Sequence, residues 1–530
     1  MTTRTRAAVC AGLLLVALAF RLTLALGMPN DEPDDARFYR VLAQNVLLHG
    51  VYSGSLTPPL EPTYVRVPGY PLFIAGIYRV FGVGDDIAVR VAQAVVETAT
   101  CWMVACLALA LVPAAWPRRR RRGVQCAALG LAAVCPFTAI YVATELTEVL
   151  AIALGTAIAW CAMRALREDT GDDRGQAARP GRAWAWWFAA GLAGGALTIV
   201  RPEGGLLTAG AGATLVLAAV WRWRPRQPGR ARVATRLARR GIPLVLGFLV
   251  CDGPWILRNA AVFGVFQPAA PRTAAMPDEF VAPGYGRWLR TWVNHPKYVE
   301  PFEFDQDRVR FSMDQLPPWA FDSPEERQLV AELFARYNDG EPGAATRSRR
   351  PTSEPVGITP ALDARFETLA LDRIRRHPGR YYVALPAERL VRMWASPHAQ
   401  FYPFEGDLFP LATLDRGTSQ QIWLPIFALL TLAWSVFGVA GAARLVAEPA
   451  SRFGLVLLAL LVVPRLVLLG SMENPEPRFM VELFPFLSAL GGVALASAGG
   501  HWRSPAPPWI LLRRVVGSRT LAVKAGGDGD

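Results

Sequence analysis

Charge is scarce in this sequence, and nearly all of its positive charge is arginine. Charged residues make up 19% of the 530 positions and hydrophobic residues 52%, where soluble domains carry about 25% charge. Lys297 and Lys524 are the only lysines. The five histidines, His49, His295, His377, His398 and His501, are too scattered to form a metal site. The seven cysteines, Cys10, Cys101, Cys106, Cys126, Cys135, Cys161 and Cys251, all fall in apolar stretches, which argues against a disulfide framework and against a zinc cluster. No P-loop, no GxGxxG after a strand, no HExxH and no GxSxG occurs, so the chemistries tied to those motifs have no support. There is no Asn-x-Ser/Thr sequon. Glycine (46) and proline (43) are plentiful but follow no period. With so much apolar content, collagen-like and disordered readings fail.

What is present is long apolar runs. Mean hydropathy is +0.24, and a helix needs about 20 apolar residues to cross a bilayer. The sequence predicts an all-α polytopic membrane protein with about ten spans: 7–27, 87–112, 124–141, 145–163, 184–200, 204–221, 241–257, 421–443, 453–470 and 479–499. The net charge of +13 is not read as a nucleic-acid footprint, because the arginines sit in short loops. Arg4 and Arg6 precede the first span, Arg118–Arg122 form an unbroken run, residues 222–240 hold eight arginines and no acid, and the tail holds Arg503, Arg513, Arg514, Arg519 and Lys524. All fall on one side if both termini are cytoplasmic. The first span has features of a signal peptide, but Arg21 interrupts it and no clean cleavage site follows, so an uncleaved helix is expected. The chain then divides into a core, 1–257, with a first outer loop, 28–86; an outer segment, 258–420; C-terminal spans, 421–500; and a cytoplasmic tail, 501–530. Residues 278–372 are acidic and rich in Pro, Tyr and Trp, and 338–356 read as a mobile loop. The short outer turn 471–478 joins the last two spans.

The first outer loop is the most informative stretch. Asp31, Glu32, Asp34 and Asp35 place four carboxylates within five residues just beyond a span. Phe38, Val41, Leu42 and Val46 then recur at helical spacing, which predicts an amphipathic helix on the membrane surface. One of Asp34 and Asp35 is expected to cap that helix. The cap does not explain all four acids, and a carboxylate at the lipid interface is well placed as a base. The turn Tyr64–Pro71 leads into a second interfacial helix, with Pro71 near its first position. Arg66 in that turn either snorkels to headgroups or grips a phosphate with its fork. Other ionisable residues lie at outer span ends: Glu145 and Glu148, Arg201 with Glu203, Arg258, and Glu473 with Arg478. Such groups at membrane depth are functional candidates, with interhelical ion pairs as the plain alternative.

Taken in order, these pieces resemble the bacterial GT-C glycosyltransferases of the family 39-like type, relatives of the protein O-mannosyltransferases and the lipid A aminoarabinose transferases. The resemblance rests on Asp35-x-x-x-Tyr39, AQNVLLHGVYS, the Arg66–Pro71 turn, Glu145-Leu-Thr-Glu148 read as part of a helix, GGALTIVRPEG (194–204), PWILRNAAVFGVFQP (254–268), HPGRYYVALPAERLVRMW (377–394) and GSMENPEPRFMVELFPFL (470–487). It covers most of 7–499 and leaves 269–360 without a pattern. It implies a transmembrane core whose interfacial helices cap a cavity. It also implies inverting transfer of a sugar from a polyprenyl-phosphate donor to an extracytoplasmic acceptor, which would be an envelope glycan, a lipid or a protein. The setting would be the bacterial cytoplasmic membrane, with no cofactor and no metal expected and no nucleic-acid partner. Asp35 matches the family's catalytic acid, with Asp31 and Asp34 as alternative registers. Arg66, Arg258 and Arg478 are the candidates for the donor phosphate. Tyr39, Glu148, Arg201 and Glu473 complete the candidate site. The chain departs from the aminoarabinose-transferase pattern at Phe38, where relatives have Arg before the Tyr, so no phosphate contact falls to Arg37.

Two other classes compete. A transporter or flippase for lipid-linked glycans needs charges lining a path through the spans, and here most cluster at the outer ends. A non-catalytic scaffold that binds envelope glycans would leave Asp34 and Asp35 as surface caps with no basic groups nearby.

Overall fold

A computed structural model describes residues 3–29, 33–170, 179–223, 230–271, 275–276, 280–304, 309–339, 357–409 and 411–498. Asp31, nearly all of the expected loop 338–356, part of the arginine-rich 222–240 stretch and the tail lie outside the described residues. The N-terminal half forms α1 (Thr3–Gly27), α2 (Asp34–His49), α3 (Gly69–Phe81), α4 (Asp86–Leu111), α5 (Arg118–Ala133), α6 (Pro136–Ala139), α7 (Glu148–Thr170), α8 (Pro180–Val200), α9 (Gly204–Trp223) and α10 (Arg230–Phe263). Then follow α11 (Pro283–Arg290), α12 (Pro324–Asp339), α13 (Pro360–Arg376), α14 (Leu385–Ala395), α15 (Thr418–Val446), α16 (Arg452–Ser471) and α17 (Phe484–Ala498). No strand occurs among the described residues.

Eight of the described helices are long and apolar enough to cross a membrane by length and composition. The protein is therefore an all-α polytopic membrane protein, as the sequence predicts. Two of the ten expected spans differ. The helix expected at 204–221 is apolar only over Gly204–Val220. At 1.5 Å per residue this falls short of the roughly 30 Å hydrocarbon core. The span expected at 124–141 is a bent pair, Arg118–Ala133 and Pro136–Ala143, with 49° between the halves. Pro136 is the cause, since it has no N–H to give and its ring clashes with the preceding turn. The carbonyls this leaves open at the end of α5 are taken by Arg21 of α1, which donates to Ala132 O (3.0 Å) and Ala133 O (2.8 Å). Arg21 is fully buried and ion-paired with Glu97 of α4. Thus the arginine that interrupts the first span closes α1, α4 and the break in α5 around one charge.

Polar contacts give the bundle two distinct ends. At one end Trp116 meets Glu448 (3.2 Å), Arg120 meets Ser497 (3.1 Å) and Arg240 meets Asp169 (2.5 Å). The arginine run Arg118–Arg122 belongs to this end. At the other, the first loop, the α8–α9 turn and the α16–α17 turn converge. The segment between α10 and α15 packs there around an aromatic core that includes Trp288, Trp292, Phe302, Phe334 and Phe366. It is fastened to the bundle by Arg389 of α14, which is 1% exposed. Arg389 donates to Arg290 O (2.7 Å), Val293 O (2.7 Å) and Gly470 O (3.2 Å). The boundary expected at 257/258 falls inside α10, which runs on to Phe263.

The Arg21–Glu97 pair yields the first prediction. Removing one partner of a buried pair costs about 3–5 kcal/mol. Arg21→Met is expected to lower the unfolding temperature of the detergent-solubilised protein markedly. Arg21→Met with Glu97→Met is expected to recover part of the loss. An unchanged midpoint for the single variant would mean that the pair contributes nothing.

Candidate active site

Helix α2 lies where the amphipathic pattern predicts it, with Leu42, Ala43 and Asn45 buried. Its N-cap is Pro33, and no side chain makes a capping bond. The expected Asp cap is therefore absent, and both acids sit in the first helical turn, where their charge suits the positive end of the helix dipole. Asp34 is exposed. Asp35 is half-buried and turned toward two arginines. Its Oδ1 lies 3.1 Å from Arg66 Nη2, and its Oδ2 lies 3.7 Å from Arg478 Nη2. The helix ends at Gly50, whose φ of 69° is left-handed and favours glycine. The chain then turns back across α2, where Asn45 Nδ2 donates to Ser53 O (2.8 Å) and Ser55 O (2.9 Å).

The turn that carries Arg66 is fixed from two sides. The Tyr52 hydroxyl donates to Arg66 O (3.0 Å) and Val67 O (3.1 Å). Gly69 starts α3 so close to the end of α8 that a Cβ would stand 2.7 Å from Ile199 O. Glycine is required there, and the contact sets Arg66 beside the α8–α9 turn. In that turn Arg201 Nε lies 2.8 Å from Glu203, while its Nη1 lies 3.4 Å from Glu148 and 3.4 Å from Glu482. Arg465 of α16 completes the cluster, 2.8 Å from Glu482 and 3.9 Å from Glu203. Arg478 stands in the 3-10 turn Pro477–Leu483 and is also ion-paired with Glu476.

Tyr39 lies between the two groups. Burial first, then the charge of Asp35 and after it that of Glu148, push its phenol up to about 12, against the pull of Arg66 and Arg201. Its ring packs edge-on against Tyr70 at 5.2 Å.

Asp35, Arg66, Arg478, Tyr39, Glu148 and Arg201 thus come together. Arg258 makes no ion pair among the described residues. It donates to Thr63 O (2.8 Å) and lies over the rings of Trp255 (5.0 Å), Phe263 (5.0 Å) and Tyr52 (5.6 Å). Glu473 does not join the Asp35 group: it pairs with Arg290 of α11 at 2.9 Å. Glu145 precedes α7 rather than lying in it, and pairs with Arg90 at 2.8 Å. Three participants escaped the sequence reading. Arg465 and Glu482 carried a signal, charge inside an apolar run. Glu303 carried none. It lies in the unpatterned segment, and burial, with Glu473 and Glu476 behind it, pushes its carboxyl up to about 8 against the pull of Arg290.

Beside the Arg465–Glu482 pair, a cleft opens between α7, α9 and α16, lined by Ile152, Leu207, Leu461 and Phe486. It encloses about 270 Å³ of non-atom space, open solvent included. Among the described residues no three His, Cys, Asp or Glu side chains converge as a metal cage.

No family model matches the sequence, and no curated protein matches it. Among solved structures, the chain is similar to the archaeal oligosaccharyltransferase AglB from Archaeoglobus fulgidus in complex with an inhibitory peptide and a dolichol-phosphate. That match has 12% identity and a TM-score of 0.44, over 98% of this chain and 52% of that one. It is also similar to ArnT from Cupriavidus metallidurans bound to undecaprenyl phosphate, with 16% identity and a TM-score of 0.36, over 92% of this chain and 77% of that one. The chain spans about half the length of the oligosaccharyltransferase chains it matches.

The position of Tyr39 makes a titration prediction. Its folded value lies above the ordinary 10, so the stability it contributes as a neutral phenol is complete below pH 10 and is lost as pH rises to about 12. Tyrosinate absorbance of wild type minus Tyr39→Phe should show a midpoint near 12. Asp35→Asn should bring that midpoint down.

Proposed function

We propose that this protein is a GT-C type, family 39-like membrane glycosyltransferase that moves a sugar from a polyprenyl-phosphate donor to an extracytoplasmic acceptor with inversion. The observation that carries this reading is the Asp35 carboxylate held between Arg66 and Arg478. On this reading the Asp35 end of the bundle faces outward from a bacterial cytoplasmic membrane, and the Arg118–Arg122 end faces the cytoplasm.

The chemistry follows from the groups present. Arg66 and Arg478 bind the donor phosphate and loosen their hold on Asp35, because guanidinium forks suit phosphate oxygens. Arg258, bonded to Thr63 O of the first loop, offers a further cation. The acceptor oxygen attacks the anomeric carbon, the bond from that carbon to the phosphate oxygen breaks, and the acceptor proton passes to Asp35 as general base. The polyprenyl phosphate leaves as an anion, and the arginines stabilise its charge. Phosphate is a good leaving group, so a second carboxyl acting as general acid, as in glycoside hydrolysis, is not required. The acceptor would meet the site from the side of the 258–420 segment, where Glu303 and Glu473 lie.

The scaffold reading expects Asp34 and Asp35 to be caps without basic neighbours, and Asp35 has two such neighbours. The test is transfer from radiolabelled polyprenyl-phosphate sugars to envelope extract by the purified protein. Asp35→Asn is expected to lower transfer about 10²–10⁴-fold, the usual worth of a general base, while Asp34→Asn stays within a few-fold of wild type. Transfer that survives Asp35→Asn would overturn the assignment, and the absence of transfer from a broad sugar panel would overturn the reading.

A further inference from the structure

The wall facing the Asp35–arginine group contains an acceptor that nothing satisfies. Glu148 is 2% exposed, at the first turn of α7. Its Oε1 is held 3.4 Å from Arg201 Nη1, while its Oε2 is buried and has no hydrogen-bond partner. A buried carboxylate oxygen without a donor is costly, so it marks a place where a donor belongs. The Tyr39 hydroxyl beside it makes no hydrogen bond among the described residues either, and it feels the charges of both Asp35 and Glu148. One acceptor and one hydroxyl, both without a hydrogen-bond partner among the described residues, therefore lie in the electrostatic reach of one another and of Asp35.

We infer that Glu148 Oε2 receives a hydroxyl of the sugar being transferred, with the Tyr39 hydroxyl at its side, and that the site takes a neutral, hydroxyl-bearing glycosyl group. This rests on the reading of the site as a centre of glycosyl transfer. Phosphate belongs with Arg66 and Arg478, whose guanidinium forks suit its oxygens. A cation is not called for at Glu148, because Arg201 already offsets its charge through Oε1. What remains open is a single lone-pair direction, which suits an O–H donor. Glu148 is in this account a binding residue that fixes the sugar ring relative to Asp35, and it takes no proton.

The experiment measures calorimetric affinity of the full-length detergent-solubilised protein for a bare polyprenyl phosphate and for the same lipid carrying a hexose, an N-acetylhexosamine, a pentose or an amino pentose. For wild type, a neutral sugar should tighten binding about 10- to 100-fold over the bare lipid, as a hydrogen bond to a charged group does. Glu148→Ala should erase that gain, so that sugar-bearing and bare lipid bind alike, and Glu148→Gln should keep part of it. A deoxy analogue lacking the contacted hydroxyl should weaken wild type and leave Glu148→Ala unaffected. The inference is overturned if Glu148→Ala still discriminates sugar from bare lipid, if it loses both affinities equally as a structural residue would, or if wild type prefers the amino sugar. Wild type that binds neither lipid would instead sink the glycosyl-transfer reading, and that outcome is read without any variant.

Discussion

Arg201 is the group around which this end of the molecule is arranged. It meets Glu148 at the start of α7, Glu203 in its own turn and Glu482 in the turn before α17, while Arg465 of α16 shares two of those acids. Charges buried at membrane depth are expensive unless each finds a partner. The partners come from separate helices, so the ends of α7, α8, α16 and α17 are drawn to one place. The first loop is then positioned by contact. Gly69 sets α3 on the end of α8, Tyr52 pins the Arg66 turn, and Arg478 follows from the same turn that supplies Glu482. The geometry of the first loop is thus inherited from ion pairing between spans.

The relation between Asp35 and its arginines also sets an order of events on the proposed reading. While Arg66 and Arg478 hold the carboxylate, both of its oxygens are engaged by guanidinium groups. A phosphate competes for the same guanidinium groups. The base is therefore released by arrival of the donor, which discourages chemistry before both partners are in place.

Much of this was legible in the sequence, because membrane insertion makes charge conspicuous. Helices as apolar as α1, α15 and α16 leave little ambiguity about spanning, and an arginine or glutamate at their ends stands out against the run. The Arg201 and Arg478 positions were found that way, while Asp35 and Arg66 came from the carboxylate cluster and the turn of the first outer loop. Glu145 misled, because hydropathy does not see that the chain turns before Glu148 and begins a new helix there. The bend at Pro136 was written in the sequence, but apolar residues on both sides hid it within one window. The expected cap at Asp34 or Asp35 failed because Pro33 already stands at that position. Glu303 was out of reach altogether. Its place beside Glu473 depends on how an aromatic core folds the long segment back, and that packing has no periodic signature.

Arg21 has a consequence for how the chain is made. On the ribosome it precedes Glu97 by 76 residues and Ala132 by 111. An unpaired arginine within a span costs up to about 3 kcal/mol on insertion scales. Until α4 and α5 have emerged, α1 therefore carries a charge with nothing to neutralise it. Helix α1 thus cannot settle before α4 and α5 have followed it, and its docking waits on 111 residues of later chain.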